Sequence, residues 1–420
     1  MENLSKLAQN IIGSEILNIS TETNKKIKEG KKVYNLTIGD FDPKIFPIPY
    51  KLKCEIINQI NDDQTNYPPS EGVVELRESV CNLLKIKGLD YSIDEILIAG
   101  GARPIIYTIF KTIVDPGDKV FFSTPSWNNN HYSYLHSAQC VVVETKHENN
   151  FLPTLEDIKP HISEISLIAL CSPQNPTGTT FTKDSLLEIC DLIIEENKRR
   201  GDSKPVYLMF DQIYCELIFG DTIHHNPVNL RPEMKEFTIF VDGISKSLSA
   251  TGVRVGWSFG PKLVITKMKS ILTHVGAWAP KAEQIATAKF LNDEESYSNF
   301  LKLQREKISH RLFTLYSGFN ELKSDGYPID VIKPEAAIYL SIEFDLIGLK
   351  TQSGDEIKSV RDITKYLLNE ASIAIVPFYA FGVSENSNWF RLSVGTLKEE
   401  DIYSILIDVK LSIDKLIKIT

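Results

Sequence analysis

The sequence has few of the features that mark secreted, metal-binding or membrane proteins. Its six cysteines include no CxxC pair, and several lie in apolar runs, which is typical of reduced, buried thiols. Its eight histidines show no HExxH or HxH spacing, and the adjacent pair His224 and His225 precedes Asn226 and Pro227, a pattern typical of a surface loop. We therefore predict a reducing compartment, the cytoplasm, and no metal site.

Long apolar runs and an excess of positive charge are also missing. No apolar run approaches the roughly 20 residues needed to cross a bilayer, and the first residues, MENLSKLAQNIIGSEI, lack the basic stretch and apolar core of an export signal. The formal net charge is −9, from 46 Lys and Arg against 55 Asp and Glu, which argues against nucleic acid or an anionic membrane as the main partner. Small anionic ligands stay open, because a pocket can be basic on an acidic protein.

The composition is that of an ordinary globular protein. The chain has 420 residues, of which 42% are hydrophobic and 24% charged. At roughly 150 residues per domain, this length favours two to three domains.

Short apolar segments alternate along the chain with segments of helical period. EILIAG, RPIIYTIFKTIV and DKVFFST form one such series, and SLIALCS, TKDSLLEICDLIIEENKRR and PVYLMFD form another. This alternation predicts an α/β fold with a parallel sheet between helices. DPGD at 115–118 predicts a turn, and Thr182 predicts a helix N-cap. From about Asp293 a long charged helical stretch predicts a connecting helix that leads into a smaller α+β domain.

Candidate chemistry follows the ends of the predicted strands, where open α/β sheets bind ligands. VDGISKSLSATGVRVGW places Lys246 in a small-residue loop eight residues before Arg254, although most lysines are surface groups. Asp211 ends the strand PVYLMFD, and a carboxylate in that position needs a cationic partner. Asn175 lies at the centre of the turn CSPQNPTG, which predicts an exposed amide.

The chain resembles the fold-type I, pyridoxal-phosphate-dependent class I/II aminotransferases, in particular bacterial aspartate aminotransferases. NLTIGD, NYPPSEGVVELRES, AGGARP, TPSW, SPQNPTG, FDQIY, SKSLSATGVRVGW and FRLSVG appear in family order over nearly the whole chain. The resemblance implies a mostly parallel seven-stranded sheet between helices. It also implies a large cofactor domain at 51–295 and a small domain made of 1–50 and 296–420.

The resemblance assigns the residues around the cofactor ring. Lys246 would hold pyridoxal phosphate and later move the substrate Cα proton, since a partly desolvated lysine is easier to deprotonate. Asp211 would pair with the ring nitrogen, and Asn175 and Tyr214 would bond the ring hydroxylate. Trp127 would stack on the ring. A turn-forming Asn, a core Tyr and a core Trp are the ordinary alternatives.

The resemblance also assigns a phosphate site. Backbone amides of Gly101 and Ala102 would point at the phosphate from a helix start, and Arg254 would bind it with its planar fork. Ser245 or Ser247 would add a hydroxyl, since Gly243 stands where the family often has Ser or Thr. Tyr67 would reach the phosphate of a neighbouring subunit, which implies a homodimer with shared active sites. The ligands expected are thus pyridoxal 5'-phosphate, an amino acid and a 2-oxo acid.

For the substrate, the resemblance places Arg391 and Asn175 at the α-carboxylate, with the Gly39 backbone beside it. Arg103 stands where some bacterial aspartate aminotransferases carry a basic residue for the distal carboxylate. It could equally bind the phosphate or an acid at the dimer interface.

Two residues depart from the family pattern. Ala336 replaces the usual Gly in PEAAIYL, and Trp278 stands in GAWAPKAEQ. The extra Trp would narrow the pocket or enclose a large substrate by stacking.

These assignments imply a two-step ping-pong transamination, in which an aspartate-like amino acid leaves its nitrogen on the cofactor and a 2-oxo acid such as 2-oxoglutarate takes it away. A C–S lyase, a racemase or an amino-acid oxidase on the same scaffold remains an alternative, because fold does not fix reaction. A non-catalytic cofactor-binding sensor is disfavoured, since no DNA-binding segment is attached.

Overall fold

The structure is a computed structural model that describes residues 3–11, 21, 23 and 25–418. The prediction that 1–50 belongs to the small domain therefore concerns, in part, residues outside the described ones, mainly 12–20. None of the helices in the described part is long and apolar enough to cross a membrane.

Helices of widely different length make up about half of the elements. In chain order they are α1 (Lys6–Asn10), α2 (Tyr50–Asn61), α3 (Val74–Ile86), α4 (Ala102–Ile113), α5 (Asn129–Leu135), α6 (Leu155–Ile158), α7 (Lys183–Arg200), α8 (Pro227–Leu230), α9 (Ile244–Ser247), α10 (Lys262–Val275), α11 (Lys281–Leu291), α12 (Glu294–Ser324), α13 (Val360–Glu370) and α14 (Ile402–Asp414).

The strands fall into one large sheet and three smaller ones. In chain order they are β1 (Tyr34–Asn35), β2 (Ile96–Ala99), β3 (Lys119–Thr124), β4 (Gln139–Glu144), β5 (Ile165–Cys171), β6 (Tyr207–Asp211), β7 (Thr238–Gly243), β8 (Gly256–Phe259), β9 (Ile329–Val331), β10 (Tyr339–Phe344), β11 (Leu349–Lys350), β12 (Ile373–Ala374), β13 (Val376–Pro377), β14 (Trp389–Ser393) and β15 (Ile417–Lys418).

The large sheet has seven strands in the order β2-β8-β7-β6-β5-β3-β4. All neighbouring pairs are parallel except those made by β8, which runs antiparallel to β2 and β7. The central strands are buried nearly throughout, as expected of continuous apolar runs covered by helices on both faces. The predicted mostly parallel α/β fold with seven strands is confirmed.

Local signals read from the sequence appear at the predicted places. The Thr182 hydroxyl accepts from the Ser185 N–H at the start of α7, which satisfies one of the unpaired donors of a helix N-terminus. The DPGD turn closes with the Asp118 N–H on the Asp115 carbonyl at 3.0 Å. The predicted connecting helix is α12, which Asp293 caps by accepting from the Ser296 N–H.

The smaller body is built around an antiparallel sheet in the order β13-β14-β10-β9. Near the start of the described chain, β1 pairs in parallel with β12, so the early segment joins this body and not the large sheet. Its core includes Leu36, Phe319 and Phe390 in one apolar cluster. A smaller α+β part formed from both chain ends is therefore observed, while the exact domain limits stay a prediction.

The topology brings several strand ends to one edge. Because β3, β5, β6 and β7 run parallel, their carboxyl ends meet at the same edge of the large sheet. Open α/β sheets bind ligands at that edge.

Candidate active site

A cavity of about 840 Å³ lies at this edge, with walls from the large sheet, the segment around residue 39 and the smaller body. Its lining brings together most of the residues that the sequence predicts for the site: Gly39, Ala102, Arg103, Trp127, Asn175, Asp211, Tyr214, Ser245, Lys246, Arg254 and Arg391. Gly101 and Tyr67 do not line it. Residues separated by up to 350 positions in the chain thus face one space.

Lys246 lies just beyond the end of β7. It sits in the single helical turn α9 and not in the loop that the sequence predicts. Its Nζ donates to the Gly39 carbonyl at 2.6 Å. The pKa of Lys246 is lowered to about 8, mainly by burial; Asp40 opposes this shift, and the charges of Arg391 and neighbouring arginines add to it. An amine with this pKa is partly neutral near neutral pH, as a nucleophile or base requires.

Asp211 is the last residue of β6. Its Oδ1 accepts from the Ile213 N–H at 3.0 Å. The pKa of Asp211 is raised to about 7, mainly by burial; Asp242 adds to this shift, while the Ile213 N–H and the charge of Lys246 oppose it. No lysine, arginine or histidine in the described part of the chain forms an ion pair with it. The described residues therefore do not supply the cationic partner that the sequence predicts for Asp211. Its carboxylate is suited to pair with a cationic group of a ligand.

The prediction of an exposed Asn175 amide is wrong. The residue is only 9% exposed, and its Oδ1 accepts from Arg391 Nη1 at 3.2 Å. The turn is covered because the smaller body packs directly on it: at Gly178, with φ +74°, an added Cβ would lie 2.6 Å from the Tyr339 carbonyl. Turn composition alone does not reveal such a contact.

Tyr214 lines the cavity and is almost completely buried. Its hydroxyl lies 2.6 Å from the hydroxyl of Tyr339, and burial raises the pKa of both phenols. Tyr339 is a site residue that sequence reasoning missed, although its segment PEAAIYL draws attention through Ala336. The signal available was a polar aromatic residue at the start of the predicted strand in this segment.

Arg391 lies in β14 with only 1% of its surface exposed. One terminal nitrogen bonds Asn175, the other donates to the Thr37 carbonyl, and Nε is buried without a hydrogen-bond partner among the described residues. Its guanidinium lies between the rings of Tyr339 and Phe381, at 4.8 and 4.9 Å. A buried arginine with spare donors facing a cavity is suited to bind a carboxylate.

The start of α4 is held by Arg254. That side chain donates to the carbonyls of Gly100 and Thr251, each at 2.7 Å. Gly101 is the N-cap with φ +90°, and an added Cβ there would lie 2.2 Å from Arg254 Nη2, so only glycine fits. The Gly101 N–H donates to the Ala99 carbonyl, which leaves the amide of Ala102 as the first at the helix start that faces the cavity.

The two serines beside Lys246 differ in orientation. The Ser247 hydroxyl donates to the Gly243 carbonyl at 3.3 Å, whereas Ser245 lines the cavity. Of the two, Ser245 is the one available to a ligand.

Aromatic and basic residues form the outer part of the cavity. The Arg103 guanidinium lies 5.7 Å from the centre of the Trp127 ring, which in turn tilts against Phe381. Outside the cavity, Tyr67 is 81% exposed and makes an edge contact with Trp278. A tyrosine so exposed in one chain is available to a second one.

The lining residues that were not predicted include Thr37, Asp40 and Thr251. Each lies inside one of the family motifs, NLTIGD or SKSLSATGVRVGW. Thr251 Oγ1 donates to Asp40 Oδ1 at 2.7 Å. Only the tertiary structure brings this pair together, since the two residues are far apart in sequence.

The family model for class I and II aminotransferases matches residues 31–406. Among curated proteins, the chain is 31% identical over 412 residues to the aspartate aminotransferase of Bacillus subtilis, covering 96% of this chain and 98% of that protein. It is 30% identical over 410 residues to a probable aspartate/prephenate aminotransferase of Rickettsia felis, covering 95% and 94%.

The fold is likewise similar to a solved structure. The crystal structure of the aspartate aminotransferase from Rhizobium meliloti superimposes with a TM-score of 0.90 at 27% identity, covering 99% of this chain and all of that one.

Proposed function

The chain belongs to the class I and II aminotransferase family and is a pyridoxal-phosphate-dependent transaminase, and we propose that it moves the amino group of an aspartate-like L-amino acid to a 2-oxo acid such as 2-oxoglutarate. The observation that carries this proposal is the convergence of Lys246, Asp211, Arg254 and Arg391 on one cavity. The acidic substrate is supported by the basic lining and by the names of similar proteins.

The donor set of the cavity fits the cofactor. Asp211 is a buried carboxylate without a cationic protein partner, which suits a protonated ring nitrogen. The start of α4 and the Arg254 guanidinium suit a phosphate, and a glycine at 101 keeps the space between them open. When bound, pyridoxal phosphate supplies an aldehyde carbon that takes the amino nitrogen and a ring that draws electrons from the substrate Cα.

The protein residues then have separate tasks. Lys246 would hold the cofactor through its amine and would act as the base for the substrate Cα proton. Asp211 would pair with the ring nitrogen. Asn175 and Tyr214 would hold the ring hydroxylate by hydrogen bonds, and Trp127 would pack against the ring. The Tyr214 hydroxyl lies 2.6 Å from that of Tyr339, which orients it.

The anionic groups are divided among three basic residues. Arg254 binds the phosphate together with Ser245 and the amide of Ala102. Arg391 binds the α-carboxylate, and Asn175 and the Gly39 backbone lie beside it. Arg103, at the outer wall beside Trp127, takes the distal carboxylate of the substrate.

We also propose a homodimer in which Tyr67 reaches the phosphate of the second subunit. The proposal is supported by the high exposure of Tyr67 and by its contact with Trp278, because an exposed aromatic pair is suited to contact a second chain. We also propose that the large domain spans 51–295 and the small domain 1–50 with 296–420.

We further propose a role in amino acid metabolism or biosynthesis in the cytoplasm. The reducing conditions there suit six free cysteines, two of them buried.

The experiment is a panel of single amino acids mixed with the loaded enzyme without an acceptor. We expect aspartate and glutamate to release one equivalent of the matching 2-oxo acid per active site and then stop. Continuous turnover with ammonia or peroxide would instead identify a lyase or oxidase, and no release from acidic amino acids would overturn the substrate proposal.

A further inference from the structure

Residues 37–41 touch three parts of the cavity wall at once. The Thr37 carbonyl accepts from Arg391, the Gly39 carbonyl accepts from Lys246, and Asp40 Oδ1 accepts from Thr251. Thr251 in turn precedes Arg254, whose guanidinium donates to the Thr251 carbonyl. This one segment therefore contacts the carboxylate arginine, the lysine and the loop of the phosphate arginine.

Asp40 is held rigidly within this segment. Its Oδ1 accepts from both the Thr251 hydroxyl and the Phe41 N–H, each at 2.7 Å. Its carbonyl lies so close to Gly395 that an added Cβ there would come within 2.0 Å. The carboxylate is thus a fixed charge, because both its side chain and its backbone are constrained.

Carboxylates are few in the cavity, whereas cationic side chains are several. Among the residues that line it, the only carboxylic acids are Asp40 and Asp211. Under the proposed function, Asp211 serves the ring nitrogen, and Arg254 and Arg391 serve the phosphate and the substrate carboxylate. The ammonium form of Lys246 then has one protein anion left, which is Asp40.

We propose that Asp40 is a positioning residue for Lys246, a role that rests on the proposed function: its anchored carboxylate stabilises the lysine ammonium and fixes the Gly39 carbonyl that accepts from it. A desolvated amine surrounded by arginines loses its proton too readily to act as a proton acceptor. A nearby fixed anion restores proton affinity. In agreement, the Asp40 charge raises the pKa of Lys246, against burial and the neighbouring arginines.

The test measures the lysine directly and needs no turnover. Cofactor-free protein is treated with trace acetic anhydride across a pH series, and the acetylation of Lys246 is followed by peptide mass spectrometry. Asp40→Asn keeps an oxygen for the Thr251 hydroxyl and removes the charge. We expect its labelling midpoint to move down by at least about 0.5 pH unit, since an opposite charge nearby typically shifts a pKa by one or more.

Two variants serve as controls. Asp42→Asn removes a carboxylate charge two residues further along the chain. Asp42 does not line the cavity, so the labelling midpoint of Lys246 should not change. Asp40→Glu keeps the charge and should also keep the midpoint. An unchanged midpoint in Asp40→Asn, or an equal shift in Asp42→Asn, would overturn the proposal.

Loaded enzyme gives a second readout. In Asp40→Asn, kcat should fall more than KM rises, because the residue acts on the proton acceptor and not on the substrate carboxylate. If Asp40→Asn does not fold, Thr251→Val loosens the same carboxylate and should shift the labelling midpoint in the same direction. A folded Thr251→Val with an unchanged midpoint contradicts the proposal. Failure of transamination with a shifted midpoint would instead count against the proposed function alone.

Discussion

Two groups of buried charges lie next to the ends of β6 and β7, and they differ in how the protein satisfies them. One is the cavity around Asp211 and Lys246. The other, which we call the Glu216 cluster, consists of Lys87, Cys215, Glu216, Asp242 and Arg305. Both take charged groups out of water, which costs several kcal/mol per ion unless they are paired.

In the Glu216 cluster, the cationic side chains are paired with a carboxylate of the protein. Glu216 pairs with Lys87 and, at 3.0 Å, with Arg305 of α12. Although burial opposes it, the Lys87 charge holds the pKa of Glu216 below its usual value, and the neighbouring anions hold the pKa of Lys87 well above its own. Asp242 accepts from Gln212 at 3.1 Å and lies 3.7 Å from the Cys215 thiol.

The charged groups of the cavity are less fully paired. Asp211 has no cationic side chain bonded to it in the described part of the chain, and Arg391 Nε is buried without an acceptor. Charged groups that the protein pairs with one another hold the fold together. Charged groups that it leaves facing a common space are suited to bind a charged ligand. Four variants would test this contrast.

The largest effect is expected at Lys246. Lys246→Ala removes both the amine that holds the cofactor and the proton carrier, so kcat should fall by at least about 10³-fold, the scale of general acid–base catalysis. The variant should fold normally, because the Lys246 ammonium forms no ion pair within 4 Å among the described residues. Release of oxo acid in single turnover measures the loss, and a variant within tenfold of wild type would contradict the assigned role.

The next largest effect is a loss of stability at Glu216. Glu216→Ala leaves Lys87, whose side chain is 28% exposed, without its ion-pair partner, which should cost about 1.5–3 kcal/mol of unfolding free energy, the scale of a hydrogen bond to a charged group. Urea unfolding measures it. Glu164→Ala, which breaks an exposed contact with Lys119, is the matched control and should change little. Equal effects of the two substitutions would show that burial of the cluster does not matter.

The third prediction concerns the pH dependence of the cofactor-free protein. The pKa of Asp211 is about 7 in the folded chain against 3.8 in the unfolded one, so the folded state binds the extra proton between these values. Asp211 therefore contributes stability at low pH that is lost as pH rises from about 4 through about 7.

Asp211→Asn should remove this part of the pH dependence, with differences on the order of a few degrees in the melting temperature. The control is Asp221→Asn, a substitution at an exposed position, which should keep the wild-type profile. A profile of Asp211→Asn that follows wild type would contradict the buried, unpaired state of the carboxylate.

The smallest effect is expected at Arg103. Arg103→Leu should weaken kcat/KM for aspartate about tenfold more than for alanine, since one charge-assisted hydrogen bond is worth roughly 1.5–3 kcal/mol. Kinetics with both donors measure the ratio. Equal losses for the two amino acids would assign Arg103 to the phosphate or to the dimer interface instead.

Much of the fold could be predicted from local pattern. The apolar runs of β2, β3, β5 and β6 and the cap at Thr182 are local signals, since strand pattern and helix capping depend on residues close in sequence. Lys246 as a single helical turn could not be predicted, because four residues carry no period. The buried state of Asn175 could not be predicted either, since Tyr339 and Arg391 cover it from more than 150 residues away.

Residue types along the chain were enough to establish the alternating α/β order, the motifs and, through the order of these motifs, the family. Each of these depends on residue types at short spacing. The tertiary structure alone decided which charges have partners: that Glu216 meets Arg305, that Asp211 meets no cationic side chain among the described residues, and that Asp40 meets Thr251. Pairing depends on distances of a few ångströms between segments that are far apart in the chain, and composition and periodicity do not encode those distances.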